Sequence, residues 1–252
     1  MSEATPFRED LLKARSLFRE GHLDQAIALL DCHLNESDPI SSFALRERGR
    51  MKSFHGDHLG AIADFTAVIL RWPTNSDGFT GRADARKRAG DLQGAIEDWS
   101  AAISINPQHQ FAFLQRGRVK AASGDWSGAV SDFSAAMEHD QLGPLSGLLN
   151  RGVARHRLGD LSGAIDDLTE AMRLECGQPI FAPLFRGRVK LSAADYEGAI
   201  ADFTAAIEAF PQLTNAFRQR AQAKALAGDQ KGAEDDLRSY HQLGGRDLPA
   251  YE

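Results

Sequence analysis

Cysteine is nearly absent from this sequence, which contains only Cys32 and Cys176 among 252 residues. A disulfide framework is therefore excluded, and we expect two free, buried thiols in a reducing compartment. The chain also lacks an apolar run of about eighteen residues that could cross a bilayer. Its first residues lack the basic and apolar regions of a secretory signal. These absences predict a cytoplasmic protein without a membrane segment.

The residue patterns of common enzyme sites are missing as well. The sequence contains no Cys-x-x-Cys pair, no glycine-rich loop of the kind that cradles phosphate and no Gly-x-Ser-x-Gly elbow. Its histidines are not spaced as the ligands of a metal site are. We therefore expect a protein that is not an enzyme and that has no cofactor and no metal.

One phrase recurs along the chain, and its clearest copy is Gly-Asp-Leu-Ser-Gly-Ala-Ile at Gly159. Copies follow one another at intervals of 34 or 35 residues and open at Gly21, Gly56, Gly90, Gly124, Gly159, Ala194 and Gly228. Glycine can end a helix in the left-handed conformation, and the Asp beside it can cap the helix that follows. A small residue seven places before each corner lets two helices approach closely. Each phrase therefore predicts the corner between two antiparallel helices.

A fixed period of this length predicts a stack in which each repeat buries its apolar face only against its neighbours. We expect one solenoid over residues 7–243, between short tails at 1–6 and 244–252. The repeats are predicted to begin at Phe7, Ser42, Ser76, Gln110, Leu145, Ile180 and Thr214. Pro73, Pro107 and Pro211 close three of them, because a helix does not continue through proline.

The pattern resembles the tetratricopeptide repeat (TPR), a 34-residue helix pair. The resemblance rests on small, Ala, aromatic and Pro positions such as Ala83, Ala95, Trp99 and Pro107, and it covers about residues 7–241. Basic residues replace the family's leucine and tyrosine in the first helix, which is similar to a bacterial subtype. The resemblance implies an all-α, right-handed superhelical solenoid of seven antiparallel helix pairs, with the first helices lining the concave face.

Two basic positions recur four residues apart in the first helices, and one Asp recurs in the second helices. The earlier basic position and the Asp are occupied by Arg48, Arg82, Arg116, Arg151, Arg186 and Arg220, and by Asp64, Asp98, Asp132, Asp167, Asp202 and Asp236. Like charges on one helical face repel unless a carboxylate lies between them. We expect an Arg/Asp ladder that sets the register of the helices, within a repeat or across a junction. The alternative is that these arginines are available to a ligand.

Charge is sorted by helix, since the first helices hold 24 of the 29 Lys and Arg residues but 6 of the 35 Asp and Glu residues. Repeats two, four and six also share Phe-Ala-x-x-x-Arg-Gly-Arg, which puts Phe and the second Arg on one helical face. The alternative is that these phenylalanines pack between adjacent first helices. With the contact positions that the resemblance implies, the predicted partner-binding groove consists of Phe43, Arg46, Arg50, Lys87, Arg88, Phe111, Arg118, Arg157, Phe181, Arg188 and Arg218.

We therefore expect an interaction scaffold that binds an extended, acidic protein or peptide segment in a basic concave groove. An RNA-binding helical-repeat protein is one alternative, because the groove is basic. The net charge of −6 disfavours nucleic acid as the partner. A self-assembling structural module is a second alternative. The sequence specifies neither the identity of the partner nor the oligomeric state.

Overall fold

The computed structural model describes residues 4–34, 40–138, 144–175 and 180–245. Within these ranges the chain forms fourteen α-helices. They are α1 Ala4–Arg19, α2 Leu23–Asp31, α3 Ile40–Phe54, α4 His58–Arg71, α5 Ser76–Arg88, α6 Leu92–Ile105, α7 Gln110–Ala122, α8 Trp126–Glu138, α9 Leu145–Arg157, α10 Leu161–Leu174, α11 Phe181–Ser192, α12 Tyr196–Ala209, α13 Thr214–Leu226 and α14 Gln230–Gln242. Consecutive helices pack as pairs, for example α3 with α4 and α11 with α12. The prediction of an all-α repeat of helix pairs is confirmed.

The chain divides into two compact units, which we call the N-terminal unit, residues 1–119, and the C-terminal unit, residues 120–252. The boundary falls within α7. Helices α5, α7, α9 and α13 begin where a repeat was predicted to begin, α11 begins one residue later, and α1 and α3 begin three and two residues earlier. The extent of the solenoid and of its tails stays a prediction. Residues 1–3 and 246–252 of those tails lie outside the described residues.

The corners are the most regular feature of the fold. Every first helix ends two residues before its corner residue, and every second helix begins two residues after it. The six corner glycines have φ angles between 83° and 96°, in the left-handed region that glycine adopts without steric cost. Ala194 occupies the remaining corner, the sixth along the chain, with a φ of 59°. Its Cβ makes this conformation costly, by about 1–2 kcal/mol.

An aspartate caps the second helix at six of the seven corners. Its carboxylate accepts a hydrogen bond of 2.8–3.0 Å from the N–H of the glycine three residues further on, as Asp160 does from Gly163. A Cβ at these glycines would come within 2.0–2.3 Å of the second carboxylate oxygen, Oδ2, of the capping aspartate. The first corner has His22 instead, without a side-chain cap. The predicted cap is therefore confirmed everywhere except in the first repeat.

Small residues bring the two helices of a repeat together. A Cβ on Gly152 would lie 2.8 Å from Leu168, and one on Gly187 would lie 2.8 Å from Phe203. The large side chain nine residues after the corner is buried in the first six repeats, at Leu30, Phe65, Trp99, Phe133, Leu168 and Phe203. In the seventh repeat Leu237 is 39% exposed, because no described helix follows α14 to cover it.

The prediction of a free thiol is confirmed for Cys32, but the prediction that it is buried is wrong, because its side chain is exposed. The residue directly follows the short helix α2 rather than lying on its apolar face. Its thiol donates to the carbonyl oxygen of Ala28 over 3.3 Å. Cys176 lies outside the described residues.

Candidate partner-binding surface

The repeated arginine of the first helix and the repeated aspartate of the second helix form bidentate ion pairs. Arg186 donates from Nε and Nη2 to the two carboxylate oxygens of Asp202 over 2.8 and 2.6 Å. The same fork joins Arg48 to Asp64, Arg82 to Asp98, Arg151 to Asp167 and Arg220 to Asp236. Each pair links the two helices of one repeat, so that the ladder predicted within a repeat is confirmed for these five pairs.

Each arginine of this ladder also reaches the preceding repeat. The Nη1 group of Arg186 donates to Thr169 over 3.0 Å, and that of Arg151 donates to Ser134 over 3.0 Å. Arg82, Arg116 and Arg220 reach a hydroxyl of the preceding repeat in the same way, and Arg48 reaches Asp31. The two arrangements foreseen for these arginines, within a repeat and across a junction, are therefore both present.

The second basic position of each first helix completes the ladder. Lys190 lies 3.0 Å from Asp202, and the equivalent contacts are Lys52 with Asp64, Arg86 with Asp98, Lys120 with Asp132, Arg155 with Asp167 and Lys224 with Asp236. The aspartates are buried, at 4% exposure for Asp202. A buried carboxylate between two cations is held by charge-assisted hydrogen bonds. These cations are engaged in the fold and are not available to a partner.

Ionisation of the ladder follows from these contacts. Burial opposes the charged form of Asp236, but the hydrogen bonds and charges of Arg220 and Lys224 outweigh it and lower the pKa of Asp236. The hydrogen bond to Asp202 raises the pKa of Arg186 against the opposing effect of burial. Both groups are therefore charged at neutral pH, and each is stabilised by the opposite charge of its own partners.

The N-terminal unit contains a cavity of about 770 Å³ between its first helices. Side chains of α1, α3, α5 and α7 line it, together with Phe65 from α4 and His109 from the turn before α7. Several apolar side chains in this cavity are open to solvent, among them Leu12 at 57%, Phe54 at 73% and Phe111 at 43% exposure. Apolar side chains that face an open cavity of this size are typical of a site that binds another molecule.

The charges of this cavity are mixed rather than uniformly positive. Five arginines and three carboxylates line it. Glu47 contacts Arg15 over 2.8 Å and Arg50 over 3.5 Å, and Asp77 contacts Arg46 over 2.5 Å. The hydrogen bond and charge of Glu47 raise the pKa of Arg15. Much of the positive charge predicted for this part of the groove is therefore neutralised within the unit.

The remaining predicted residues of the N-terminal unit differ in their contacts. Lys87 does not line the cavity. It contacts Asp84 over 3.4 Å and Gln115 over 3.1 Å. Arg88 lines the cavity, and Arg118 lies on the exposed side of α7. Neither of these two arginines forms an ion pair within the part of the chain that the structure describes.

The phenylalanines of repeats two, four and six are exposed, at 53% for Phe43, 43% for Phe111 and 55% for Phe181. The arginine seven residues after each of them, Arg50, Arg118 or Arg188, is exposed as well. About half of each ring remains open to solvent, so these rings are not filling a packed helix interface. Each of the three helices thus presents one exposed aromatic ring and one exposed guanidinium.

The C-terminal unit contains a much smaller cavity, of about 60 Å³, between α9, α10 and α11. Arg157 and Arg188, both predicted site residues, lie at this cavity together with His156. Arg218 is exposed on the next first helix, α13. Among the described residues, Arg157, Arg188 and Arg218 have no carboxylate partner. The structure thus places unpaired cations on the first helices of this unit.

Sequence reasoning missed residues that determine the character of the N-terminal cavity. Glu47 occupies a variable position of the phrase shared by repeats two, four and six, and the residues at this position in repeats four and six are Gln115 and Phe185. The repeat pattern therefore gives no signal for Glu47. The predicted groove rests mainly on the charge of the first helices, and charge gives no signal for the apolar lining from Leu12 and Phe54. Both residues could have been found as apolar side chains on helices that are otherwise strongly charged.

Two further structural features are absent from the described residues. None of the described helices combines the length and the apolar character that crossing a membrane requires. The described residues contain no cluster of three or more His, Cys, Asp or Glu side chains with the arrangement of a metal site. The cytoplasmic location stays a prediction.

Helix pairs repeated at a fixed period, linked by an ion-pair ladder, define a helical-repeat protein. The tetratricopeptide-repeat family model matches residues 114–174. The recognition of tetratricopeptide repeats from the sequence is therefore confirmed. Its assignment to a bacterial subtype stays a prediction. None of the curated proteins compared with the chain matches it.

Solved structures of TPR proteins share the fold. A TPR protein from Parabacteroides merdae aligns with a TM-score of 0.67 at 17% identity, covering 96% of this chain and 95% of its own. The C-terminal part of a TPR protein from Cytophaga hutchinsonii aligns with a TM-score of 0.73 at 16% identity, covering 94% and 95%. YrrB, described as a TPR protein with an unusual peptide-binding site, aligns with a TM-score of 0.60 at 17% identity, covering 71% and 91%.

Proposed function

We propose that this protein is a non-enzymatic scaffold that binds an extended segment of a partner protein along the exposed face of its first helices. The partner would contact Phe43, Arg46, Arg50, Lys87, Arg88, Phe111, Arg118, Arg157, Phe181, Arg188 and Arg218. The family supports this function, because stacked helical repeats create extended binding surfaces. The peptide-binding site named for YrrB supports it by analogy.

The cavity of the N-terminal unit is the observation that carries the proposal. Leu12, Phe54 and Phe111 expose apolar surface within a cavity of about 770 Å³, and five arginines line the same cavity. An apolar side chain of a partner that became fully buried there would contribute about 1.5–3 kcal/mol. The surrounding charges would fix the orientation and register of the bound segment rather than supply most of its affinity.

The charge of the first helices favours an acidic partner. Arginines outnumber carboxylates in the N-terminal cavity, and the C-terminal unit presents Arg157, Arg188 and Arg218 without a carboxylate partner among the described residues. An acidic side chain can accept a bidentate hydrogen bond from a guanidinium. We therefore propose a segment that combines apolar with acidic side chains.

Selection of short peptides from a random library on the purified protein tests this function. We expect the selected sequences to pair apolar with acidic residues, and Phe54→Ala with Phe111→Ala to weaken their binding by about tenfold or more. Leu70→Ala is the matched control, since Leu70 is 78% exposed but lies on α4 outside the cavity. Single-stranded RNA should not displace the peptides.

Two outcomes would count against the proposal. One is a set of selected peptides without acidic residues. The other is undiminished binding to the double phenylalanine variant, which would place the binding surface away from the cavity. Melting curves of the double phenylalanine variant, of the Leu70→Ala control and of the wild type should agree closely, because the substituted side chains are exposed.

A further inference from the structure

A group of three basic side chains in the C-terminal unit has features that the rest of the first helices lack. His156 and Arg157 end α9, and Arg188 lies on α11. All three line the cavity of about 60 Å³, whose other walls are apolar side chains of α9, α10 and α11. Two guanidinium groups and an imidazole thus meet at one small space that is closed on its inner side by apolar atoms.

This group contains no internal counter-ion. The ladder arginines of the same helices, Arg151 and Arg186, each hold a buried aspartate. Arg157 and Arg188 have no carboxylate partner among the described residues. Two like charges beside one cavity repel each other unless an anion lies between them. An anion from outside the chain would therefore stabilise this arrangement.

Aromatic contact positions one of the two arginines. The guanidinium carbon of Arg157 lies 5.6 Å from the centre of the Trp126 ring, which belongs to α8. A guanidinium over an indole face is held by a cation–π interaction and keeps its hydrogen-bond donors free at the edge. Arg157 is thus oriented without using donors that an anion would need.

The hydrogen bonds of His156 define its tautomer. Ser192 donates its hydroxyl hydrogen to the carbonyl oxygen of Arg188 over 3.2 Å, so that its oxygen is left to accept. The Nε2 atom of His156 lies 2.9 Å from this oxygen and is therefore the donor of that hydrogen bond. The Nδ1 atom is left without a proton in the neutral ring, and it gains one when His156 becomes a cation.

The surroundings of His156 oppose that cationic form. Burial lowers the pKa of His156, and the charges of Arg188 and Arg157 lower it further. An anion between the two arginines would offset their charge and favour protonation of the ring. The pKa of His156 would therefore rise when an anion binds beside it.

We propose that Arg157, Arg188 and His156 form a binding site for one oxyanion group, a carboxylate or a phosphate. Arg157 and Arg188 supply planar donor groups, and His156 supplies a further donor when it is protonated. The inference rests on the proposed function in that both arginines belong to the partner-binding residues. The group bound there would anchor one acidic or phosphorylated side chain of the partner segment.

Nuclear magnetic resonance of the full chain tests this site without any partner. The ring signals of His156, one of eight histidines, are assigned by their loss in His156→Gln. We expect inorganic phosphate or acetate, added at constant ionic strength, to shift these signals to saturation and to raise the pKa of His156. Arg157→Gln and Arg188→Gln should each weaken binding by about tenfold. Lys231→Gln, an exposed change on α14, should leave it unchanged.

The comparison of the two probes identifies the source of the group. Tighter binding of phosphate indicates a phosphorylated side chain, and tighter binding of acetate indicates a carboxylate. Shifts that never saturate, or that are equal in the wild type and in the two arginine variants, would overturn the proposal. Failure of the peptide selection would leave these titrations unaffected, so the two proposals fail separately.

Discussion

The first helices of the two units carry similar positive charge but very different negative charge. Helices α1, α3 and α5 of the N-terminal unit contain five carboxylates, whereas α9, α11 and α13 of the C-terminal unit contain none. In the N-terminal unit Glu47 and Asp77 neutralise arginines of the cavity. In the C-terminal unit Arg157 and Arg188 have no carboxylate partner among the described residues.

The difference shows that sorting of charge by helix does not by itself create a basic binding surface. Half or more of the cations on the first helices belong to the ladder, which is common to both units. The character of the binding surface depends on the few residues outside the ladder. A partner of the proposed kind would have to displace internal ion pairs in the N-terminal unit, whereas it would meet exposed arginines in the C-terminal unit.

Removal of a ladder aspartate is expected to have the largest effect, and an equal effect in the two units. Asp64→Ala and Asp202→Ala each leave two cations without their buried carboxylate. Each should lower the free energy of unfolding by about 3–5 kcal/mol, measured by urea denaturation. Glu208→Ala, an exposed change on α12, is the control. A loss of unfolding free energy in only one of the two variants would mean that the ladder does not stabilise the two units alike.

Acid should weaken the same ladder by protonation. The lowered pKa of Asp236 means that its stabilising contribution is complete above the unfolded pKa of about 4 and is lost as the pH falls through the folded value. The melting temperature should therefore fall below that pH, and less steeply in Asp236→Asn than in the wild type. Asp235→Asn, an exposed neighbour, should behave like the wild type. A melting temperature that falls equally steeply with pH in Asp236→Asn and in the wild type would contradict this prediction.

The corner at Ala194 distinguishes the C-terminal unit locally, because every other corner has glycine. Ala194→Gly removes the cost of a left-handed alanine and should raise the free energy of unfolding by about 1 kcal/mol. Ala193→Gly is the control, since Ala193 has an ordinary φ of −84° and should lose stability instead. Thermal denaturation of both variants checks the sign of each change.

Glu47→Gln should make the N-terminal cavity more like the C-terminal unit. The change releases Arg15 and Arg50 from their carboxylate. Because exposed ion pairs are worth about 0.2–1 kcal/mol, we expect acidic peptides to bind about threefold more tightly, as measured by fluorescence anisotropy. Glu208→Gln changes the net charge equally but lies elsewhere and should have no effect. A gain in both variants would indicate a general charge effect.

Local features of the fold were predictable from the sequence to the residue. The Gly-Asp phrase fixes where helices end and begin, because its Gly and Asp each satisfy a backbone requirement of a helix end. The Arg and Asp of the ladder were predictable because they recur in fixed phase. The contact of Glu47 with Arg15 was not, since the two residues are 32 positions apart and lie on different first helices.

The candidate site was predictable only in outline. Exposure of Phe43, Phe111 and Phe181 could not be read from the sequence, because an amphipathic spacing fits either a packed or an open face. The group at His156 depends on Ser192 and Trp126, which come from different repeats and have no counterpart in the repeat pattern. Such contacts follow from how neighbouring repeats are stacked.

The most direct test of the account is the affinity of a selected acidic peptide for the variant Arg50→Glu, Arg118→Glu and Arg188→Glu. All three arginines are exposed, and each lies two helical turns after an exposed phenylalanine. The account predicts that binding is abolished while the melting temperature stays nearly unchanged. Undiminished binding, or collapse of the fold, would contradict it.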